Sequence, residues 1–295
     1  MKVQILSCTP NPGKLLHQVW NASRQATDIK PIAACPNDID LMKLIFEQDA
    51  PVSEFLTLVI AIDDAPVAFR EQLVRHRLCT FWIQSSRIMD LGQAPMWMPN
   101  TLNAEQQALL RDGYAHVKDS YRKMQAAGVP NEMARLVMPE GRLHRIQMMI
   151  NFRYLIQMCS KRTCWILQAS LWKYFVSGIQ RELERLYDAN GCDEAYRVMA
   201  AQIGSPPCTT SKKCKFCLDN ERRLKGEDNL PVCPLWAKFY DKDLDESQKT
   251  RAFEYYKTQG YEEMWSEDPF KPVPDLNAHI CNESCSEPCP EAQKD

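Results

Sequence analysis

A chain of 295 residues, 45% hydrophobic and 25% charged, has the composition of an ordinary globular protein and room for one large domain or two smaller ones. Its net charge of −2 excludes a global field that would gather nucleic acid or acidic lipid. No apolar run reaches the ~18 residues of a membrane span, and the opening MKVQILSCTPNPGK does not read as a signal peptide. Thirteen cysteines without a secretory signal are therefore expected as reduced thiols in a cytoplasmic compartment.

KVQILSCTP predicts a strand, and NPGKLLHQVWNASRQA a helix with Leu15, Leu16, Val19 and Trp20 on its apolar side. DIDLMKLIFEQD opens on capping aspartates and predicts a second helix. EFLTLVIAI is a β-rich run expected to stop at a turn, Asp63-Asp64. In VAFREQLVRHR, Phe69, Leu73 and Leu78 recur at near-helical spacing. Pro95, Pro99 and NTLN break the pattern before a helix from about 104 to 127. Pro130 opens a short helix that Pro139 ends, LHRIQMMINFRYLIQMC reads as strand then helix, and ILQASLWKYFVSGIQRELERLY as a long amphipathic helix. Beyond about Asn190, Cys, Pro and small polar residues signal loops, so a boundary is expected between 190 and 205 and is drawn at 195/196.

RHRLCTFWIQSSR, residues 75 to 87, mixes charge with apolar bulk. Arg75, Arg77, Ser85, Ser86 and Arg87 supply guanidinium and hydroxyl donors suited to a phosphate or pyrophosphate. Arg135, Arg153 and Arg162 add donors from a distant stretch, 133–180, where seven Lys/Arg stand against Glu140 alone. The intervening apolar residues can flank a planar ring. Taken singly, each arginine reads better as a salt-bridged surface residue, as Arg70 beside Glu71 does. The whole set points to a nucleotide-type site, without naming a reaction.

In the tail, Cys208, Cys214, Cys217 and Cys233 form C-x5-C-x2-C-x15-C and end in Cys-Pro. A C-x2-C pair presents two thiolates to one centre, which suits structural zinc, or a [4Fe-4S] cluster with the terminal Cys-Pro. Unligated loop cysteines are the competing reading. Cys281, Cys285 and Cys289, with His279, lie in an acidic end expected to be disordered.

Several blocks also occur in a telling order. RHR is followed, after seven intervening residues, by Ser85; VQILSCTPNPGKLL precedes it, as does EFLTLVIAI with Gln72 three residues before the RHR; VPNEMARLVMP and INFRYLIQMCSKRTCWILQ follow. Together, over residues 1 to about 185, they resemble ThyX, the flavin-dependent thymidylate synthase family. The resemblance implies an α/β (α+β) fold with a mixed sheet and flanking helices, and a homotetramer with sites between subunits. It implies a catalytic domain over 1–195, leaving 196–295 as a Cys-rich, metal-binding candidate region with an acidic tail. It further implies FAD reduced by NADPH, and transfer of a one-carbon unit from methylenetetrahydrofolate to C5 of dUMP.

Carried over by position, Arg75, His76, Arg77, Leu78, Asn151, Arg153 and Gln157 correspond to flavin-contacting residues. Gln72, Ser85, Ser86, Arg87 and Arg135 correspond to nucleotide-binding groups, and Arg162 to the catalytic arginine beside the pyrimidine. Cys79 is expected to be filler rather than a nucleophile. Trp82, Ile83, Phe55, Ile88 and Ile166 stand where the family carries polar or tyrosine residues, and Gln157 where it carries Asn. These replacements leave open a related acceptor such as dCMP, delivery of a hydroxymethyl group, or a non-catalytic nucleotide- or nucleic-acid-binding scaffold.

Overall fold

The computed structural model describes residues 1–24, 30–99, 102–162 and 170–203. In chain order its elements are β1 (Lys2–Cys8), α1 (Pro12–Ala22), α2 (Ile39–Glu47), β2 (Thr57–Pro66), α3 (Val67–Leu73), β3 (Thr80–Ile83), α4 (Ala104–Ala126), α5 (Asn131–Ala134), β4 (Leu143–Asn151), α6 (Phe152–Arg162), α7 (Ser170–Ala189) and α8 (Glu194–Ile203). The described residues fall into two units, one made of 1–10 and 54–152, the other of 11–53 and 153–203.

The first unit is organised by a four-stranded sheet in the order β1-β2-β4-β3. The expected α/β class with flanking helices is present. Within this sheet, though, every pair is antiparallel where a mixed sheet was expected, because the connections return each strand against the direction of its neighbour. The period of two in the sequence becomes burial on one face. Leu58, Ile60 and Ile62 of β2 lie opposite Ile150, Met148 and Ile146 of β4, all at most 1% exposed. On the other face Ala61 opposes the exposed Gln147, and Trp82 on the edge strand β3 is 80% exposed.

Asp63-Asp64 is not the expected turn. β2 continues through it to Pro66 by a bulge between Ile62 and Ala65, with Asp64 in the left-handed region at φ 56°. Asp tolerates that conformation better than branched residues do, and the ladder resumes at Ala65 opposite His144. The helical spacing read through VAFREQLVRHR also ends early. α3 stops at Leu73, and Arg75, His76 and Arg77 lie in the turn leading to β3.

α4 begins with a capping box, Asn103 accepting from the Gln106 backbone while the Gln106 side chain accepts from the backbone of Asn103. Its fully buried Tyr121 packs with Leu91 and Ala134, and the Tyr121 hydroxyl accepts from the Leu91 backbone N–H at 3.2 Å. That contact pins the loop between β3 and α4. The chain before β4 is equally constrained. Trp97 N donates to the Gly141 carbonyl at 2.7 Å, and the Tyr114 hydroxyl donates to the Trp97 carbonyl at 2.9 Å. A Cβ on Gly141 would stand 2.0 Å from that hydroxyl oxygen.

In the second unit α7 packs on α8, and α8 also meets α1 and α2. Phe175, Ile179 and Leu183 of α7 and Ala195, Tyr196, Met199 and Ile203 of α8 are buried. Asp38 caps α2 as its sequence suggested, accepting from the Leu41 N–H at 3.0 Å. α8 is a helix in a stretch read as loop. It crosses the 195/196 position, and its Tyr196, Met199, Ala200 and Ile203 repeat at i, i+3, i+4 and i+7. No helix among the described residues is long and apolar enough to cross a membrane.

Two stability experiments follow. Burial, followed by the charge of Arg70, lowers the His144 pKa from 6.5 to about 4, with the Ala65 backbone opposing. Between those values the unfolded chain takes up a proton here that the folded chain does not, so stability falls as pH drops from 6.5 towards 4. In chemical denaturation, His144→Gln should remove up to ~3 kcal/mol of that pH dependence; equal slopes for both proteins would refute the assignment. Gly141→Ala should cost ~1–3 kcal/mol through displacement of Tyr114, read from the same unfolding curves.

Candidate functional site

In the first unit, residues from three separate segments converge beside the sheet. β3 carries the chain out of the RHR turn to 84–87, where Gln84 is tied to β4 on both sides. Its N–H donates to the Arg145 carbonyl at 3.0 Å, and its side-chain oxygen accepts from the Arg145 N–H at 3.2 Å. Ser85 and Ser86 follow immediately. Arg135, just after α5, donates from Nη1 to the Ser86 hydroxyl at 2.8 Å, across 49 residues of sequence. Arg87 reaches the same corner but is paired with Glu132, Nη2 to Oε1 at 2.9 Å. The carboxylate beside Arg87 thus arrives from α5.

A cavity of about 350 Å³ opens beside Ser85 and Ser86, lined by 84–86, 89–91, 93–95, 142–145 and Asp64. Its walls are held rigidly. Leu143 N donates to the Pro95 carbonyl at 2.9 Å, Arg122 Nη2 donates to the Gly92 carbonyl at 3.2 Å, and Gly92 N donates to Asp90 Oδ1 at 2.9 Å. Arg142 and His144, which sequence reasoning did not single out, are each 7% exposed and line this cavity. The signal available for them was strand alternation in RLHRIQMMIN, which puts His144 on the same face as Ile146 and Met148.

The RHR turn presents a different surface. Arg75 and Arg77 are exposed, and neither has a carboxylate partner among the described residues. Leu78 beside them is 67% exposed. Gln72 is exposed on α3, while His76 is half-buried with its backbone N–H on the Leu73 carbonyl at 3.1 Å. Burial pushes the Cys79 thiol up to about 12, so it stays protonated at neutral pH. Asn151 ends β4 opposite Thr57.

The second unit carries the remaining expected residues. Arg153 donates to Asp49 from Nε at 3.0 Å and from Nη2 at 3.3 Å, and Gln157 Nε2 donates to both Asp49 oxygens. Asp49 follows α2 with a left-handed φ of 50°. The hydrogen bond from Arg153 leads the effects that hold its carboxyl below the usual carboxylate range. This acidic partner was not read from the sequence, being about a hundred residues away. The Arg162 guanidinium stacks 4.6 Å from the centre of the Trp172 ring, a cation–π contact that holds its plane. Cys208, Cys214, Cys217 and Cys233 lie outside the described residues. No cluster of three or more metal-ligating side chains occurs among those described.

Known proteins resemble this chain in sequence and in fold. The family model for thymidylate synthase complementing protein matches residues 4–175. The flavin-dependent thymidylate synthase of Saccharolobus solfataricus is 28% identical over 147 residues, 48% of this chain and 56% of that protein. This chain therefore spans little more than half the length of that relative. The enzyme of the same name from Nitratidesulfovibrio vulgaris is 27% identical over 184 residues, 55% of this chain and 74% of that protein. In fold, the chain is similar to the crystal structure of flavin-dependent thymidylate synthase ThyX from Helicobacter pylori complexed with FAD and dUMP. The TM-score is 0.52 at 16% identity, over 64% of this chain and 97% of the other. With more than half its length matched by the family model, the chain belongs to the thymidylate synthase complementing protein family.

Proposed function

We propose that this protein is a flavin-dependent thymidylate synthase, transferring a one-carbon unit from methylenetetrahydrofolate to C5 of dUMP with reduction by NADPH. The observation that carries the reading is the corner where Arg135 donates to Ser86. It joins two of the blocks that resemble the family and leaves hydroxyl and guanidinium donors beside a cavity large enough for part of a nucleotide.

The exposed Arg75 and Arg77 suit the pyrophosphate of FAD, since their guanidiniums have no carboxylate to give up first among the described residues. His76 and the exposed Leu78 would flank it, with Asn151, Arg153 and Gln157 as the further flavin contacts. FAD, when bound, would supply the redox chemistry and carry the one-carbon unit. Ser85, Ser86, Arg87 and Arg135, with Gln72, would hold the nucleotide, and Arg87 would exchange Glu132 for phosphate as it does so. Arg162 would place a fixed positive charge beside the pyrimidine, favouring the charge that develops on the ring oxygens as C5 reacts. Its stacking on Trp172 limits the freedom lost when it does so.

The exposed Trp82, Ile88 and Leu136 (80%, 81% and 76%) support a protein-covered surface, consistent with a homotetramer. We place the reaction in the cytoplasm on the strength of the thirteen cysteines. We assign the cysteine quartet at 208–233 to structural zinc or a [4Fe-4S] cluster, and the region 196–295 to a role apart from the reaction.

The acceptor remains the point on which two readings separate. Trp82 and Ile83 replace polar residues of the family pattern, which favours testing dCMP beside dUMP by mass spectrometry of the product. The first experiment is an anaerobic absorbance spectrum of the purified protein, recorded before and after NADPH and dUMP. Flavin bands that bleach are expected; a colourless protein that takes up no FAD would overturn the reading in favour of a binding scaffold. Arg162→Ala should lower turnover by about 100-fold or more with flavin still bound. Ser85→Ala should raise the dUMP dissociation constant about tenfold by equilibrium binding. Near-wild-type behaviour of both variants would remove the site assignment.

A further inference from the structure

The cavity beside Ser85 and Ser86 contains a charge that the protein leaves uncompensated. Arg142 is 7% exposed, its Nε has no hydrogen-bond partner, and no carboxylate pairs with it among the described residues. Its neighbours worsen the imbalance. Burial, followed by the like charges of Arg70 and Arg135, lowers its pKa. His144, two residues on and on the same cavity wall, is also 7% exposed, its ring nitrogens buried with no side-chain partner and only the Ala65 backbone acting on them. A buried guanidinium Nε without a partner, next to imidazole nitrogens with no side-chain partner, is an expensive arrangement. It is hard to account for as packing, because an apolar pair would fill the same strand positions at less cost.

The acids in this cavity do not relieve it. Asp64 lies 3.9 Å from Lys2, and Asp90 accepts from Gly92 N and from Gln125 Nε2. Arg145, the other lining cation, pairs with Asp63 at 3.1 Å and is exposed. The donors left over are the Arg142 guanidinium, one N–H of His144, and the hydroxyls of Ser85 and Ser86. Such a set, drawn from two chain segments that line one cavity, fits an oxyanion.

We propose that Arg142 and His144 form a phosphate-binding subsite in this cavity, completing with Ser85 and Ser86 the grip on a phosphate monoester. The nucleotide as the source of that phosphate rests on the function proposed above, whereas the demand for an anion stands on Arg142 and His144 themselves. The second source is free inorganic phosphate.

The test uses the full chain in phosphate-free buffer and compares wild type with Arg142→Gln and Arg142→Lys. Inorganic phosphate should raise the wild-type melting temperature by about 2–4 °C at saturation, and no shift with either phosphate or dUMP would overturn the subsite. By titration calorimetry, Arg142→Gln should weaken dUMP binding roughly 30-fold and leave binding of deoxyuridine, which lacks the phosphate, unchanged. Arg142→Lys should recover part of the loss. Wild-type affinity for dUMP in Arg142→Gln would overturn the subsite while leaving the proposed enzyme standing. Phosphate binding that depends on Arg142, in a protein that ignores dUMP, would uphold the subsite with free phosphate as its ligand and remove the nucleotide reading. Because the melting shift is read on the wild type, the proposal stays falsifiable even if both variants fail to fold.

Discussion

The ladder between β2 and β4 is the interaction on which the first unit depends. It buries three facing apolar pairs, Leu58–Ile150, Ile60–Met148 and Ile62–Ile146, and it fixes everything attached to β4. β3 has no other strand partner in the sheet, so the exit of the chain from the RHR turn is set by where β4 lies. Gln84 is held to Arg145, and Ser85 and Ser86 follow from that register. A one-residue slip of β4 would turn His144 off the buried face that it shares with Ile146. The bulge at Asp63-Asp64 absorbs the irregularity that would otherwise force such a slip.

Much of this was legible in the chain itself. Strand and helix periodicity gave β1, α1, α2, α4, β4 with α6, and α7, because each carries enough apolar repeats to declare its period. The corner of Ser85, Ser86, Arg87 and Arg135 was also legible as a residue inventory, since these are donor types that suit a phosphate. What stayed hidden depended on partners far away in sequence. Glu132 beside Arg87 and Asp49 beside Arg153 are ordinary acids until folding brings them to a guanidinium. Asp63-Asp64 has the composition of a turn, and only the resumed ladder at Ala65 makes it a bulge. α8 was obscured because a short helix adjoins a stretch whose Cys and Pro content dominates the local composition.

Arg142 and His144 illustrate a further limit. In sequence, a basic residue at alternate positions of a strand predicts a solvent-facing side. Here His144 shares the buried face with Ile146 while Arg145 and Gln147 face outward, and Arg142, just before the strand, is buried as well. A polar residue on the apolar side of a sheet contradicts the local pattern, and such contradictions concentrate where a protein binds something.

The two units are threaded through each other along the chain, and this bears on synthesis. The first unit uses 1–10 and then 54–152, while the second uses 11–53 and then 153–203. On the ribosome β1 emerges first and has no partner until β2 follows, about fifty residues later, which at ~5–20 residues per second is a wait of roughly 3–10 s. β4, which completes the sheet, comes later still. Neither unit can be cut out as one uninterrupted fragment, and a chain that stops before β4 would leave Leu58, Ile60 and Ile62 without the strand that covers them. Until translation has passed Asn151, that apolar row lacks its facing strand.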